Sequence, residues 1–168
     1  MYVKFIVHST PISLPELDDL DRRILEQLQE DSSLTNQDLA QRVHASPPTC
    51  LRRVRRLVDE GVIDRQVAIL SAEKLGSTLT AIVEITLDVQ AAERLDEFER
   101  SMLTERAVLQ CYRVSPGPDF VVIAQVKDMP AYHALVHRAF TAQANVRNVR
   151  TFFSVHRAKF ETRIDVRA

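Results

Sequence analysis

Glycine and tryptophan are scarce in this chain of 168 residues, which contains three glycines and no tryptophan. So few glycines argue against a glycine-rich loop that cradles nucleotide phosphates. The two cysteines, Cys50 and Cys111, lie far apart and have no second pair, so the sequence indicates neither a disulfide framework nor a zinc cluster. A reducing, cytoplasmic location is therefore the expectation.

Long apolar runs are also missing, and none approaches the length of a membrane span. Residues 1–17 include a short apolar burst but no small-residue cleavage site, which argues against a signal peptide. Pro11 and Pro15 interrupt any regular element there, so we predict an N-terminal extension. The chain shows no Ser–His–Asp order, no paired catalytic carboxylates and no phosphate loop. We therefore predict no catalytic residues, no metal site, no cofactor and no membrane partner.

Positive charge is concentrated in one short stretch, although the formal net charge is only −1. Residues 42–58 contain five arginines and no acid, and four of those arginines fall within residues 52–56. A cluster of one sign indicates either a solvated helix face or a surface that meets a polyanion.

Residues 18–64 have the pattern of three helices. Each helix is preceded by a side chain that can accept a backbone hydrogen bond at the N-cap, namely Asp18 or Asp19, then Thr35, then Ser46. Pro47 occupies the first position of the third helix, where its missing N–H costs least, and Gly61 suits the end of that helix. Two short helices joined by a few residues after a first helix predict a helix-turn-helix, winged-helix-like domain.

The remainder of the chain has a different spacing of apolar residues. Residues 65–76 read as a short strand, QVAIL, followed by a linker, and residues 164–168 read as a tail. Between them, residues 77–163 alternate strands and helices in the order β-α-β-β-α-β. This order is that of the ferredoxin-like split unit, an antiparallel sheet with both helices on one face. The predicted fold class is therefore α+β in two domains.

Helical geometry divides the third helix into two sides. The apolar side is expected to pack against the first two helices and contains Cys50, Leu51, Val54, Leu57 and Val58. The opposite side carries Thr49, Arg52, Arg53 and Arg56, while Arg55 lies on the flank, where we expect a structural or phosphate-backbone role. A solvated helix face usually mixes charges of both signs, and this stripe contains no acid.

DNA is the polyanion that this context favours. In a helix-turn-helix, the start of the second helix enters the major groove and flanking cations contact phosphates. An amphipathic helix with a basic outer face would account for the arginines alone, but the capped two-helix setting favours DNA binding.

These residues resemble a known family. The opening L-D-x-x-D-x-x-I-L and the run S-P-x-x-C-x-x-R-V-x-x-L are similar to the DNA-binding half of the Lrp/AsnC feast-or-famine transcriptional regulators. The segments AIVEITL, CYRVSPGPDF, KDMPAY and VRTF resemble the ligand-sensing domain of that family. The resemblance covers residues 18–163.

The resemblance implies a homodimer that associates further, to an octamer, and that binds double-stranded promoter DNA in response to an amino-acid effector. It also implies site residues. Those expected at DNA are Asn36, Gln37, Arg42, Ser46, Pro48, Thr49, Arg52, Arg53 and Arg56. Those expected at the effector are Val114, Ser115, Gly117, Asp119 and Thr151.

The loop that would hold the effector departs from the family pattern. The family has Gly, an acid, any residue, Asp and an aromatic, whereas this chain has Pro116, Gly117, Pro118, Asp119 and Phe120. Two prolines remove two N–H donors and fix two φ angles. A rigid hairpin turn without a ligand is therefore an open alternative, and with it an architectural DNA binder that responds to no effector.

Two further alternatives concern histidines. His133 and His137 lie four residues apart on one predicted helix, a spacing that could bind a metal, but no further ligand completes a set. Some relatives of this architecture decarboxylate a modified haem precursor with histidines and arginines. Such an enzyme would not need the unopposed arginine stripe of the third helix.

Overall fold

The computed structural model describes residues 15–167 and divides into two compact units. Among the described residues, one unit contains residues 15–69 together with residues 160–167, and the other is Leu70–Lys159. Most of the extension predicted for residues 1–17 lies outside the described residues. No helix in the described part of the chain is long and apolar enough to span a membrane.

The N-terminal unit contains three helices, α1 (Asp19–Glu30), α2 (Asn36–Arg42) and α3 (Pro47–Asp59). The side chains of Asp18, Thr35 and Ser46 each accept a hydrogen bond from a backbone N–H in the first turn, which confirms two predicted N-caps and selects Asp18 over Asp19 for the first helix. The helix-turn-helix is thus set by side chains next to each helix start. Gly61 follows α3 with a positive φ of 71°, which a residue without Cβ adopts easily.

The core of this unit is a single apolar cluster. Its buried members are Ile24, Leu25, Leu39, Ala40, Val43, Cys50 and Leu57. Burial on α3 differs from the helical-wheel prediction, since Leu51 and Val58 are 42% and 49% exposed. The inward side of α3 is centred on Cys50 and Leu57 instead. Compared with the helical-wheel prediction, the inward side of α3 includes Arg53 and Arg56, which pair with Asp21 of α1, in place of Leu51 and Val58.

The turn between α2 and α3 contains His44 in the left-handed region, with a φ of 54°. The turn is held by the amide of Ala45, which donates to the carbonyl of Ala40 at 2.9 Å. Non-glycine residues adopt this backbone conformation at a cost, so the tight turn imposes strain on His44.

The second unit contains the strands β1 (Leu79–Leu87), β2 (Val108–Arg113), β3 (Phe120–Val126) and β4 (Val146–Phe153). Helix α4 (Ala92–Thr104) follows β1, and helix α5 (Met129–Leu135) follows β3 and continues as a π-helical turn over Val136–Thr141. The strands form one antiparallel sheet in the order β2-β3-β1-β4. This is the predicted ferredoxin-like arrangement, and the α+β fold class is confirmed.

The sheet has one buried and one open face because side chains alternate along each strand. On the buried face, β1 and β3 contribute a core with Phe98 of α4 and Phe140 of the π-helical turn; its strand members are Ala81, Val83, Ile85, Leu87, Phe120, Val122, Ala124 and Val126. On the open face, Ile82 pairs with Phe152 across β1 and β4, and both side chains are exposed.

The segment that connects the two units departs from the prediction. The strand expected within residues 65–76 does not form, and a short 3-10 turn, Glu73–Leu75, lies there instead. Val67, Ile69 and Leu70 are all more than half exposed. Apolar alternation indicates strand propensity, but a strand also needs a neighbour for its backbone hydrogen bonds, and no other described strand lies beside this segment.

Candidate nucleic-acid interface

The start of α3 is organised by side-chain hydrogen bonds. The hydroxyls of Ser46 and Thr49 lie 2.8 Å apart, and the amide of Thr49 donates to Ser46 Oγ at 3.4 Å. From α2, the side-chain amide of Asn36 donates to the carbonyl of Pro47 at 2.9 Å. This bond joins the first turns of the two helices, so Asn36 helps to hold α2 and α3 together.

The exposed face of α3 is a shallow groove of about 560 Å³. Pro48, Leu51, Arg52 and Arg55 line its N-terminal and central part, and Arg56, Asp59 and Glu60 line its far end. The side chains of Arg52 and Arg55 make no ion pair or hydrogen bond with any residue of the described range 15–167. Both guanidiniums are therefore available to a partner.

Arg53 and Arg56, by contrast, are held within the unit. Arg53 Nη1 lies 3.2 Å from both carboxylate oxygens of Asp21 and 2.7 Å from Asp18 Oδ2. Arg56 Nη2 also donates to Asp21 Oδ2. The side chain of Asp21 is fully buried, so two arginines from α3 neutralise a carboxylate that α1 has removed from water. We call this set, Asp18, Asp21, Arg53 and Arg56, the arginine clamp.

The capping box of α1 is part of the arginine clamp. Asp21 N–H donates to Asp18 Oδ1 at 2.9 Å, and Asp18 N–H donates back to Asp21 Oδ2 at 3.1 Å. The backbone N–H of Asp21, followed by the guanidinium of Arg53, lowers the pKa of Asp18. Conversely, the hydrogen bond to Asp18 raises the pKa of Arg53. The geometry thus keeps both groups ionised.

The remaining predicted DNA residues lie on α2 and at its end. Gln37 is exposed, and Arg42 is exposed with only a 3.4 Å hydrogen bond from its Nη1 to Gln27. Of the predicted arginine stripe, Arg52 is on the outer face and Arg53 and Arg56 face α1, which corrects the helical-wheel prediction. Arg55, predicted on the flank, occupies the exposed face. The helical period predicted which arginines share one side of α3. The buried Asp21 on α1 decides which of them turn inward.

The candidate effector loop joins β2 to β3 and is tied to β1. Asp119 Oδ2 accepts a hydrogen bond from the amide of Leu87 at 2.7 Å, and the amide of Asp119 donates to the carbonyl of Ile85 at 2.9 Å. The Asp119 carbonyl accepts from the amide of Val114 at 3.0 Å, which closes the loop. Ser115 and Gly117 are exposed. Asp119 therefore holds the β2–β3 loop against β1.

The other predicted effector residue, Thr151, lies on the helix-facing side of β4. Its hydroxyl is hydrogen-bonded to the phenol of Tyr132, whose ring also packs edge-on against Phe153 at 4.9 Å between centroids. His133 and His137 on the same helix and its π-helical extension are not fully buried. Within residues 15–167, no group of three or more His, Cys, Asp or Glu side chains converges as a metal site would.

A second concavity of about 570 Å³ lies between the end of β1, α4 and the turn before β4. Its charged and amide side chains bond within the wall. Arg94 pairs with Glu97 at 2.8 Å, and the Gln143 amide donates to Ser101 at 2.8 Å. No sequence pattern indicated this concavity, because its walls come from three separate segments.

Both units match families of known proteins. The family profile for winged helix-turn-helix DNA-binding matches residues 17–64, and that of the Lrp/AsnC ligand binding domain matches residues 80–164. The chain belongs to the Lrp/AsnC family. It is accordingly a DNA-binding transcriptional regulator with a ligand-binding domain, and not an enzyme.

Similar proteins include an HTH-type transcriptional regulator from Haemophilus influenzae, 36% identical over 148 residues and 88% of each chain. The leucine-responsive regulatory protein of Escherichia coli is 33% identical over 90% of this chain and 93% of its own. Among solved structures, an AsnC family regulator from Agrobacterium tumefaciens has a TM-score of 0.83 at 34% identity and covers 88% of this chain and 96% of its own. A Neisseria meningitidis transcriptional regulator in complex with L-Met has a TM-score of 0.82 at 31% identity, covering 88% and 95%.

Proposed function

We propose that this regulator binds specific double-stranded promoter DNA through the exposed face of α3. Ser46, Pro48 and Thr49 at the start of the helix are suited to meet base edges and the adjacent backbone. Arg52 and Arg55, which have no partner in residues 15–167, supply the cations. The observation that carries the proposal is this pair of unengaged guanidiniums on one exposed helix face, since guanidinium pairs bidentately with guanine or with phosphate.

The remaining predicted residues take supporting roles. Gln37 and Arg42 are exposed on α2 and suit phosphate contacts, while Asn36 links the first turns of α2 and α3. Arg53 and Arg56 keep α3 oriented through the arginine clamp, and the exposed part of each side chain can still lie near phosphates. Leu51, exposed between Pro48 and Arg55, offers an apolar contact to a thymine methyl.

The experiment is a selection of bound fragments from genomic DNA, followed by anisotropy titrations of the enriched sequence. Arg52→Ala and Arg55→Ala should weaken specific binding, whereas Arg100→Ala, which removes one exposed arginine from α4 of the other unit, should not. Equal affinity of all three variants and the wild type would refute the proposed face. A matched fragment with a scrambled site measures specificity.

For the second unit we propose an amino acid or a related metabolite as ligand. The Neisseria relative was solved with L-Met and a further relative is named leucine-responsive, which supports this chemical class. The candidate residues are those of the β2–β3 loop, Val114, Ser115, Gly117 and Asp119, together with Thr151. Because Asp119 and Thr151 already make internal hydrogen bonds, the ligand would be held chiefly by backbone groups of the loop.

Calorimetry with pooled and then single amino acids tests this proposal. Pro116→Gly restores one N–H donor to the loop and should raise affinity if the prolines narrow the site. Absence of binding in both forms, with DNA affinity unmoved by amino acids, would favour the second candidate function, an architectural DNA binder without an effector. The observation that favours this second candidate is that Asp119 is already hydrogen-bonded within the unit.

We also propose a homodimer, associating further to an octamer, in the cytoplasm. The open face of the sheet supports self-association, because Ile82, Tyr112 and Phe152 are exposed there and no helix within the described Leu70–Lys159 covers it. Light scattering coupled to size exclusion gives the mass. Ile82→Asp should lower it, whereas the same mass for variant and wild type would place the interface elsewhere.

A further inference from the structure

The C-terminal residues 163–167, which we call the strap, lie along α1 of the N-terminal unit. Gln29 pairs with the backbone of Ile164 in both directions. Its Nε2 donates to the Ile164 carbonyl at 3.1 Å, and its Oε1 accepts from the Ile164 amide at 2.8 Å. A carboxamide that satisfies both backbone groups of one residue imitates a strand neighbour. The strap is therefore held by its main chain at this point.

Charged groups hold the strap on both sides of Gln29. Arg163 Nη1 lies 3.1 Å from Glu30 Oε1, and Arg167 Nε pairs with Glu26 Oε1. In addition, the guanidinium of Arg22 donates to the carbonyl of Val166. Each exposed pair alone contributes little, but several in register fix one position of the segment.

One apolar residue of the strap reaches the core. Val166 is half-buried and packs against the cluster formed by the three helices, whereas Ile164 is 71% exposed. The strap is thus a built part of the N-terminal unit. It also lies on the side of α1 formed by Arg22, Glu26, Gln29 and Glu30, which are spaced as neighbours on one helix face.

Helix α1 therefore has two attachments. Its strap side binds residues 163–167, and its Asp21 binds Arg53 and Arg56 of α3 in the arginine clamp. The chain leaves this unit after Ile69, forms the ligand-binding unit, and returns after Lys159. The ligand-binding unit is accordingly joined to the DNA-binding unit by two covalent connections, and the second ends in the strap.

We propose that the strap is a latch on α1 that couples the ligand-binding unit to the orientation of α3. When the strap is docked, α1 and the arginine clamp are held in the DNA-binding arrangement. Tension or rearrangement transmitted along residues 154–162 undocks it and lowers DNA affinity. The docked and undocked strap are the two states that a ligand can bias. This inference rests on the proposed DNA-binding face of α3.

The test uses the full chain and one matched pair of variants. Ile164→Pro removes the backbone N–H that donates to Gln29, and Ile164→Ala keeps it while removing the same exposed side chain. Hydrogen exchange read by mass spectrometry reports the α1 peptide, and anisotropy reports DNA affinity. We expect Ile164→Pro to accelerate α1 exchange severalfold and to weaken DNA binding at least about fivefold, with Ile164→Ala close to the wild type.

A charge exchange tests the same contact independently. Glu30→Arg and Arg163→Glu should each speed exchange in α1, and the double variant should restore it because the pair is re-formed with reversed sign. The latch is overturned if Ile164→Pro and Ile164→Ala give the same α1 exchange and DNA affinity. It is also overturned if α1 exchange changes while DNA affinity stays at the wild-type value. The exchange measurement needs no DNA, so a wild type that binds no DNA would refute the proposed function and leave strap docking to be judged by exchange alone.

Discussion

The buried carboxylate of Asp21 on α1 and the guanidinium of Arg53 on α3 meet at 3.2 Å through both carboxylate oxygens. Arg56 joins the same carboxylate from one turn further along α3. The orientation of the helix proposed to read DNA is thus fixed by an acid on another helix. Removing one partner of such a buried set leaves the remaining charges with less compensation.

The first prediction concerns this carboxylate. Asp21→Asn should lower the free energy of unfolding by about 2–4 kcal/mol, because Arg56 loses its close carboxylate and Arg53 keeps only that of Asp18. Urea unfolding measures the change. Asp19→Asn is the control, since Asp19 is an exposed acid in the first turn of the same helix. Equal midpoints for the two variants would contradict the role of Asp21.

The salt dependence of DNA binding should divide the arginines of α3. Arg52→Ala and Arg55→Ala should each reduce the slope of log Kobs against log salt by about 0.9 for every phosphate that the arginine neutralises, and leave thermal stability unchanged. Arg53→Ala should instead lower thermal stability, because Asp21 remains buried with fewer partners. Titrations at several salt concentrations, with melting curves, check both. A lower melting temperature for Arg52→Ala would contradict the assignment.

Relief of backbone strain should stabilise the helix-turn-helix. His44 has a φ of 54°, a region that glycine enters without a Cβ penalty. We expect His44→Gly to raise the free energy of unfolding by about 0.5–1 kcal/mol, after allowing for the greater freedom of glycine in the unfolded chain. Chemical denaturation gives the value. His44→Ala, which keeps the Cβ, should bring no gain, and a destabilised glycine variant would argue against strain.

Cysteine reactivity should follow burial. Burial, with a smaller contribution from Glu99, raises the pKa of the Cys111 thiol to about 11, and burial also raises the pKa of Cys50. At pH 8 a thiol of pKa about 11 is ionised in roughly one molecule per thousand, so alkylation should be slow. Timed iodoacetamide labelling, with the urea-unfolded protein as control, measures this. The rate should rise with pH until the pKa is passed, and fast labelling of the folded protein at pH 8 would contradict it.

Asp119 in the β2–β3 loop should contribute to stability even when no ligand is bound. Asp119→Ala removes the acceptor of the Leu87 amide and should cost about 1–2 kcal/mol in the second unit. Asp119→Asn keeps an acceptor oxygen and should cost less. Melting curves without any ligand separate the two. If Asp119→Ala melts like the wild type, the carboxylate serves another purpose, such as ligand binding.

Local signals in the sequence were sufficient for the helices and for the four strands of the sheet. The caps Asp18, Thr35 and Ser46 act within one helical turn, so residue type and spacing predict them. Strand alternation likewise predicted which face of β1 is buried, and the β-α-β-β-α-β order indicated the sheet. Interactions between residues that are close in the chain can therefore be predicted from short stretches of the sequence.

Contacts between residues that are distant in the chain could not be predicted from the sequence. The inward turn of Arg53 and Arg56 depends on Asp21, more than thirty residues earlier, and no periodicity within α3 reports it. The segment containing Val67 and Ile69 alternates like a strand, but pairing depends on what lies beside it. The docking of Ile164 on Gln29 joins distant parts of the chain and leaves no local pattern.

The division of labour within Arg52–Arg56 also bears on how such regulators can diversify. Neighbouring arginines in this run have different roles, because Arg53 and Arg56 hold α3 against α1 while Arg52 and Arg55 are left unpaired by residues 15–167. If α3 binds DNA as proposed, substitutions at Arg52 or Arg55 should alter which operator is bound while the domain still folds. New operator preferences, natural or designed, should accumulate at positions 51, 52 and 55 and spare 53 and 56.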